Sequence, residues 1–571
     1  MDTRGREMSL ARPATLNADG WPVLTGEVEV RAGSTITVVP AASGAPFSAT
    51  VFPLSYAGLA AAASKGDQLF VGRYLVNGAE ESSLYLEVSA VDGDAVTCTA
   101  LNDATLSGML TVIHSDPSSS GGMSTFQAGL PLFDDVDLPA LAEIGAAHPI
   151  DFLALTYTCS ADDIASARAA LDAAGLASTK IIAKVENRQG LHAFAEVAEA
   201  ADAVMLSRGN LGLDVPPSKV AAVQKAAITT CNLLGKPVII TRLVDTMVSA
   251  PRCTRAEATD VANAVLDGVD GLMLGAETLR GASPAATVST VQSIAHQAEL
   301  AFDHGAHFEA LMVAQMQAEV EAVEAAAADV AGDGGVEDGE DGTLAAAADG
   351  RSLAKLKKVS SFGSLPFGMG AGGDIPTRLH SGPTSGHAGH SGLAQPKVEA
   401  MASTAVRVAE KAGAALLIVF AYTGRTTSLV AKYRPAVPVL TVVVPHTRPG
   451  DAAVHARAAA GAPRDAEAAA AQLARQFLVM RGILPAHQMA AGPAEAMLAA
   501  AVAEAGKRGL AKAGDQVVAV MQHQGDLVLK IMAVEAAGGG SMDGASNGRP
   551  GLALSPAPVA STANLPAMAM A

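Results

Sequence analysis

The sequence predicts a parallel α/β protein with a small all-β insert near its start and a second α/β domain near its end. Three observations predict it. Apolar strands recur roughly every 25–35 residues between helix-like segments in the middle of the chain. Short alternating strands separated by turn residues precede them, and strand–helix alternation resumes after a low-complexity break. A chain of 571 residues exceeds one hydrophobic core, so roughly two to four domains are expected.

Taken in order, residues 9–132 hold GEVEVRAGSTITVVPA, GDQLFVGRYLV and SSLYLEVSAVDGDAVTCTAL, short strands of one β module. The VDGDAV turn at 91–96 predicts a hairpin. Residues 133–305 carry the strands FLALTY (152–157), IIAKVEN (181–187), AVMLSRG (203–209), PVIITRL (237–243) and GLMLGAET (271–278). Residues 306–396 turn alanine- and acid-rich, then Gly/Ser/Pro/His-rich, a composition too poor in apolar surface to offset ordering entropy. A disordered insertion is expected there; its His380, His387 and His390 are weak metal candidates, and KLKKVSSFGS is a candidate phosphorylation segment. Residues 397–538 return to alternation through ALLIVFAYT, VPVLTVVVP, FLVMRGILP, DQVVAVMQ and DLVLKIMAV, and 539–571 read as a disordered tail.

The formal net charge of −18 argues against nucleic acid or an anionic membrane as partner, and leaves anionic small molecules only if a local cation or metal receives them. No apolar run reaches the length of a membrane span. Cys98, Cys159, Cys231 and Cys253 form no CxxC pair, which suits a reducing compartment without structural zinc. The N-terminal MDTRGREMSLARPATLNADG lacks an apolar signal core, so a cytoplasmic location is the expectation.

The stretch IIAKVENRQG (181–190) carries the chemistry. Strand side chains alternate, so Ile182, Lys184 and Glu186 share one face while Ile181, Ala183 and Val185 share the other. An amine and a carboxylate therefore project together near the C-terminal end of a buried parallel strand, where α/β active sites sit. The bland alternative is a self-neutralising buried pair, which gains little over apolar packing. In AVMLSRGNLGLDVPP (203–217), Gly209 permits close backbone approach to a ligand, and the amides after it suit an anion. In KPVIITRLVDTM (236–247), Thr241 ends a strand where its hydroxyl can relay a proton; a Thr bonded to neighbouring backbone is the structural alternative. TRAEATDVANAVLDG (254–268) predicts a helix with a Thr254–Glu257 capping box and a buried stripe of Val261, Val265 and Leu266, structural when read alone.

Together AKVEN, SRGNLG, PVIITR, CTRAEATDVANAVLDG and MLGAETLRG resemble the pyruvate kinase family in order and spacing, and AYTGRTTSLVAKYRP (421–435) resembles its C-terminal phosphate loop. TRLVDTM with GAETLRG is most similar to the plant cytosolic branch. The resemblance implies a partial (β/α)8 TIM barrel with an inserted small β-barrel domain and a C-terminal α/β domain. It implies phosphoryl transfer from phosphoenolpyruvate to ADP, giving ATP and pyruvate through an enolpyruvate intermediate. Lys184 would stabilise the transferring phosphoryl group and the enolate oxygen. Glu186 and Asn210 would hold Mg2+ (or Mn2+), the backbone at Gly209 would contact substrate, and Thr241 would assist enolate protonation. Asp2 and Thr3, in DTRGRE, resemble K+ ligands, and Thr423, Gly424, Arg425 and Thr426 a candidate effector phosphate loop. A homotetramer, or a hetero-oligomer with related subunits, is the implied assembly.

Two departures bear on activity. Asn210 stands where most of the family has Asp; one unit charge at ~4 Å and an effective dielectric near 20 is worth about 4 kcal/mol, or at most about three decades in rate. The resemblance also places DTRGRE at the end of the third barrel strand, so the expectation is an N-terminally truncated barrel. The family's substrate-phosphate Arg and its further K+-site and nucleotide contacts would lie upstream. Two readings follow: an active kinase, or a catalytically inactive paralogue acting as an assembly or regulatory subunit.

Overall fold

The computed structural model describes residues 1–16, 22–24, 26–73, 83–115, 130–317, 396–444, 466–487, 493–523 and 526–535. His380, His387, His390, the KLKKVSSFGS segment and the 539–571 tail lie outside these residues.

The β module is a seven-stranded sheet ordered Met8–Ser9, Leu110–Ser115, Gln68–Arg73, Leu84–Asp92, Ala95–Ala100, Thr35–Pro40, Val51–Leu54. Its pairings are antiparallel except the last. The two edges meet, because Leu10 bridges Leu54 and Ala11 N–H donates to Pro53 O at 2.8 Å. Among the described residues the sheet thus closes on itself, its two edge strands joined. Inward residues such as Ile36, Phe52, Leu69, Leu86 and Val96 are fully buried within it. The hairpin at 91–96 pairs Val91 with Val96 and Asp92 with Ala95, and Gly93 supplies the positive φ of 57° that the two-residue turn requires.

The central sheet is parallel and runs Phe152–Leu155, Lys180–Val185, Ala203–Leu206, Val238–Thr241, Gly271–Met273 in sequence order. Asp2 adds a parallel bridge to Ala154 at its first edge, and Thr3 N–H donates to Ala154 O at 3.0 Å. Met8–Ser9 already pairs inside the β module, so the segment's contribution to the central sheet ends before Met8. Period-two alternation splits the sheet's faces. Ile181, Ala183 and Val185 pack into the large core beneath the helices, whereas Ile182 joins Ala203, Met205 and Ile239 on the concave face.

The second α/β domain has a five-stranded sheet ordered Ile483–Ala486, Val439–Val443, Leu416–Ala421, Gln516–His523, Asp526–Ala533, parallel except for the last hairpin. Of FLVMRGILP, only the end is strand: Phe477 closes the helix Ala466–Phe477, and its burial there outweighs its β preference. The insertion expected to be disordered over 306–396 is helical where its first residues are described, since 304–317 forms a helix with Phe308 and Leu311 buried in this domain's core. Two apolar side chains three residues apart suffice to dock that helix.

Candidate active site

Lys184 stands at the end of its strand, 7% exposed, and Glu186 follows at 2%. Their side chains meet, with Nζ 3.3 Å from Glu186 Oε1, so the two share the face that alternation predicts. A buried ammonium needs oxygen partners to offset lost hydration. Lys184 finds them in Asp2, whose Oδ1 and Oδ2 accept at 3.1 and 3.2 Å, and in Thr156 Oγ1 at 3.1 Å. One cation thus faces two carboxylates, a local negative excess whose donor atoms are oxygens. That set suits a hard divalent cation.

Asn210 lies beside it, its amide nitrogen donating to Glu186 Oε2 at 3.3 Å. Asn210 and Gly209 occupy the first turn of a short helix, Arg208–Asp214, that begins where the Ala203–Leu206 strand ends. Thr241 is the last residue of the neighbouring strand, and Arg242 after it takes a left-handed φ of 63°. Lys184, Glu186, Gly209, Asn210 and Thr241 therefore occupy the C-terminal ends of three adjacent parallel strands.

The N-terminal segment is held to this end of the sheet by several contacts. Asp137 accepts from the backbone N–H of Arg4 at 2.9 Å and of Gly5 at 2.8 Å. Arg6 forks onto Asp163 at 2.7 and 2.8 Å and donates to Tyr157 O at 3.0 Å. Thr3 Oγ1 accepts from Thr156 N–H at 3.0 Å and donates to Ala154 O at 3.4 Å. Asp2 and Thr3 are thus adjacent to the Lys184 site, with Asp2 on its open side.

Sequence reasoning missed Thr156 and Glu7. Thr156 was legible, because Phe152, Ala154 and Thr156 alternate onto the concave face by the rule that finds Lys184. Glu7 was not, since only the fold brings it near Glu186. Burial first, then the charge of Glu186, push its carboxyl up to about 8 despite the pull of Lys184.

The candidate phosphate loop lies apart from this cluster, in the second domain. Gly424, at φ 90°, precedes the helix Arg425–Lys432, and a Cβ there would come within 2.9 Å of the Phe477 ring. Thr423 and Arg425 are exposed and Thr426 half-buried.

The family model for the pyruvate kinase barrel domain matches residues 1–288, and that for the pyruvate kinase alpha/beta domain matches 399–527. Pyruvate kinase 2, cytosolic, of Oryza sativa subsp. indica is 35% identical over 517 residues, covering 89% of this chain and 80% of the relative. The cytosolic isozyme of Glycine max is 30% identical over 464 residues, covering 80% and 72%. Among solved structures, Cryptosporidium parvum pyruvate kinase in complex with ADP superposes with a TM-score of 0.64 at 22% identity, over 93% of this chain and 83% of that one, a likeness of fold. The two domain models in this order and the 35% identity to the rice relative over most of both chains agree: this chain belongs to the pyruvate kinase family.

Proposed function

We propose that this chain transfers the phosphoryl group of phosphoenolpyruvate to ADP, producing ATP and pyruvate in the cytosol, where its rice and soybean relatives are named as acting. The observation that carries the reading is the Lys184 ammonium held between Asp2, Thr156 and Glu186 at the mouth of the parallel sheet. Phosphoryl transfer asks for positioning and positive charge more than for covalent chemistry, and a fixed ammonium supplies both. Lys184 would face the transferring phosphoryl and then the enolate oxygen. Thr241, at the adjacent strand end, would deliver a proton to the enolate carbon. The first-turn backbone at Gly209 would contact the substrate.

Glu186 and the amide oxygen of Asn210 would hold Mg2+, or Mn2+ in its place, and Asp2 with Thr3 would hold K+. A bound divalent ion would neutralise phosphoryl charge as it develops. Thr423, Gly424, Arg425 and Thr426 would receive the phosphate of an effector, and a tetramer or mixed oligomer would be the working assembly. Retention of this constellation favours the catalytic reading over a non-catalytic subunit.

The test is pyruvate formation from phosphoenolpyruvate and ADP by the full chain. Turnover that disappears on chelating divalent ions and returns with Mg2+ is expected. A chain that forms no pyruvate with Mg2+ and K+ present defeats the reading.

A further inference from the structure

The CTRAEATDVANAVLDG segment reads as a structural helix, yet it places one carboxylate at the reacting end of the sheet. We propose that the Arg208–Asp260 ion pair is a positioning device that sets the Thr241 hydroxyl for proton delivery, an inference that rests on the reaction proposed above.

Arg208 begins the short helix that carries Gly209 and Asn210. Its guanidinium leaves that helix and grips the neighbouring strand end: Nε donates to Thr241 O at 2.9 Å, and Nη2 donates to Arg242 O. The other edge of the fork meets Asp260, with Nη1 2.8 Å from Oδ1 and Nη2 2.7 Å from Oδ2, while Gln224 Oε1 accepts from Nη1 at 3.0 Å. One planar side chain therefore connects three things: the loop offering Gly209 and Asn210, the last residue of the Thr241 strand, and the helix Arg255–Leu266.

The turn it holds is an unfavourable one. Arg242 takes φ 63°, a region that side chains with a Cβ seldom adopt, and its own side chain pairs with Asp245 at 3.1 Å. Two successive carbonyls accepting from one guanidinium fix the peptide planes on either side of Arg242, and with them the backbone from which the Thr241 side chain projects. Asp260 fixes the fork in turn. The guanidinium is only 11% exposed, so its orientation is set by these partners rather than by water. A lysine cannot replace it, having neither the plane nor the paired donors.

The experiment compares the full chain with Asp260→Asn, Arg208→Lys, Thr241→Ala and the Asp260→Asn/Thr241→Ala pair. It reads kcat, KM for phosphoenolpyruvate and the solvent deuterium isotope effect on kcat. A misplaced proton donor slows the protonation step, not substrate binding. Asp260→Asn should therefore lower kcat about tenfold while KM moves by less than about twofold. The solvent isotope effect should rise above that of the unaltered chain, and adding Asp260→Asn to Thr241→Ala should cost little more, because the two act through one hydroxyl. An unchanged isotope effect, or losses that multiply, would overturn the positioning role. Arg208→Lys is read in parallel and decides the matter where Asp260→Asn does not stay folded. An unaltered chain that makes no pyruvate defeats the reaction and this inference together; normal turnover with multiplying losses defeats the inference alone.

Discussion

Lys184 shows how far a single residue can be read from sequence. Its face follows from alternation alone, and the 3.3 Å approach to Glu186 agrees with it. What alternation cannot supply is the third party: Asp2 lies 182 positions away and reaches Lys184 only through the fold. Glu7 was illegible for the same reason, and Asp260, inside a segment that reads as a structural helix, shows its partner Arg208 only once the tertiary structure exists. Asn210 is the residue whose role a substitution tests best. Asn210→Asp replaces a donor that now bonds Glu186 by a second carboxylate. Two adjacent carboxylates repel without a cation and bind one more tightly with it. The Mg2+ concentration giving half-maximal turnover should fall by about tenfold, against an upper bound of about 4 kcal/mol for one added charge at ~4 Å. A Mg2+ titration of pyruvate formation checks it; an unchanged midpoint would remove Asn210 from the metal site.

Elements were read well where a local signal set them. The helix Arg255–Leu266 starts at the Thr254–Glu257 capping box that its sequence announces. Its stripe needed correction: Val261 and Val265 are buried, but Leu266 is 45% exposed and Ala264 takes the inner position. A small residue facing a tight helix packing leaves no hydrophobic signature to read. The loop that brings Asp2 to the site depends on Gly5, at φ 44°, where an added Cβ would lie 2.6 Å from the carbonyl oxygen of Leu132. That oxygen is backbone and cannot step aside. Gly5→Ala should destabilise the chain by about 2–3 kcal/mol and lower turnover by displacing Asp2 from Lys184. Thermal melting with a paired activity assay checks this; an unshifted melt would show that the loop is not fixed here.

At the scale of the whole molecule, the two α/β sheets are locked by a buried polar seam. Arg434, itself at φ 45°, pairs with Asp270 at 2.6 Å and donates to Asn232 and to Gly268 O. Asp270 also receives the N–H groups of Val238 and Arg481, so one carboxylate ties the start of the Thr241 strand to the second domain. Nothing in the sequence marks that pairing, because Asp270 and Arg434 are 164 positions apart and each is unremarkable in its own segment. The same seam holds His307, whose ring nitrogen is 3.3 Å from Lys432 O. Burial lowers its pKa to about 4, with Arg434 and Arg481 adding to the effect. The folded chain therefore resists protonation while the unfolded chain accepts it near 6.5. Stability from this histidine is complete above pH ~6.5 and lost as pH falls toward ~4, on the order of 3 kcal/mol. His307→Gln should flatten the decline of melting temperature across that window; an unchanged slope would locate the acid sensitivity elsewhere.

These scales converge on the ammonium at the sheet's mouth, and one comparison tests it. The chain and its Lys184→Met variant, matched in melting temperature, are assayed for pyruvate released from phosphoenolpyruvate and ADP with Mg2+ and K+. A loss of at least about 10³-fold in the variant is the predicted result, as expected when a preorganised charge leaves a transition state. A variant that forms pyruvate at the rate of the unaltered chain would contradict the account.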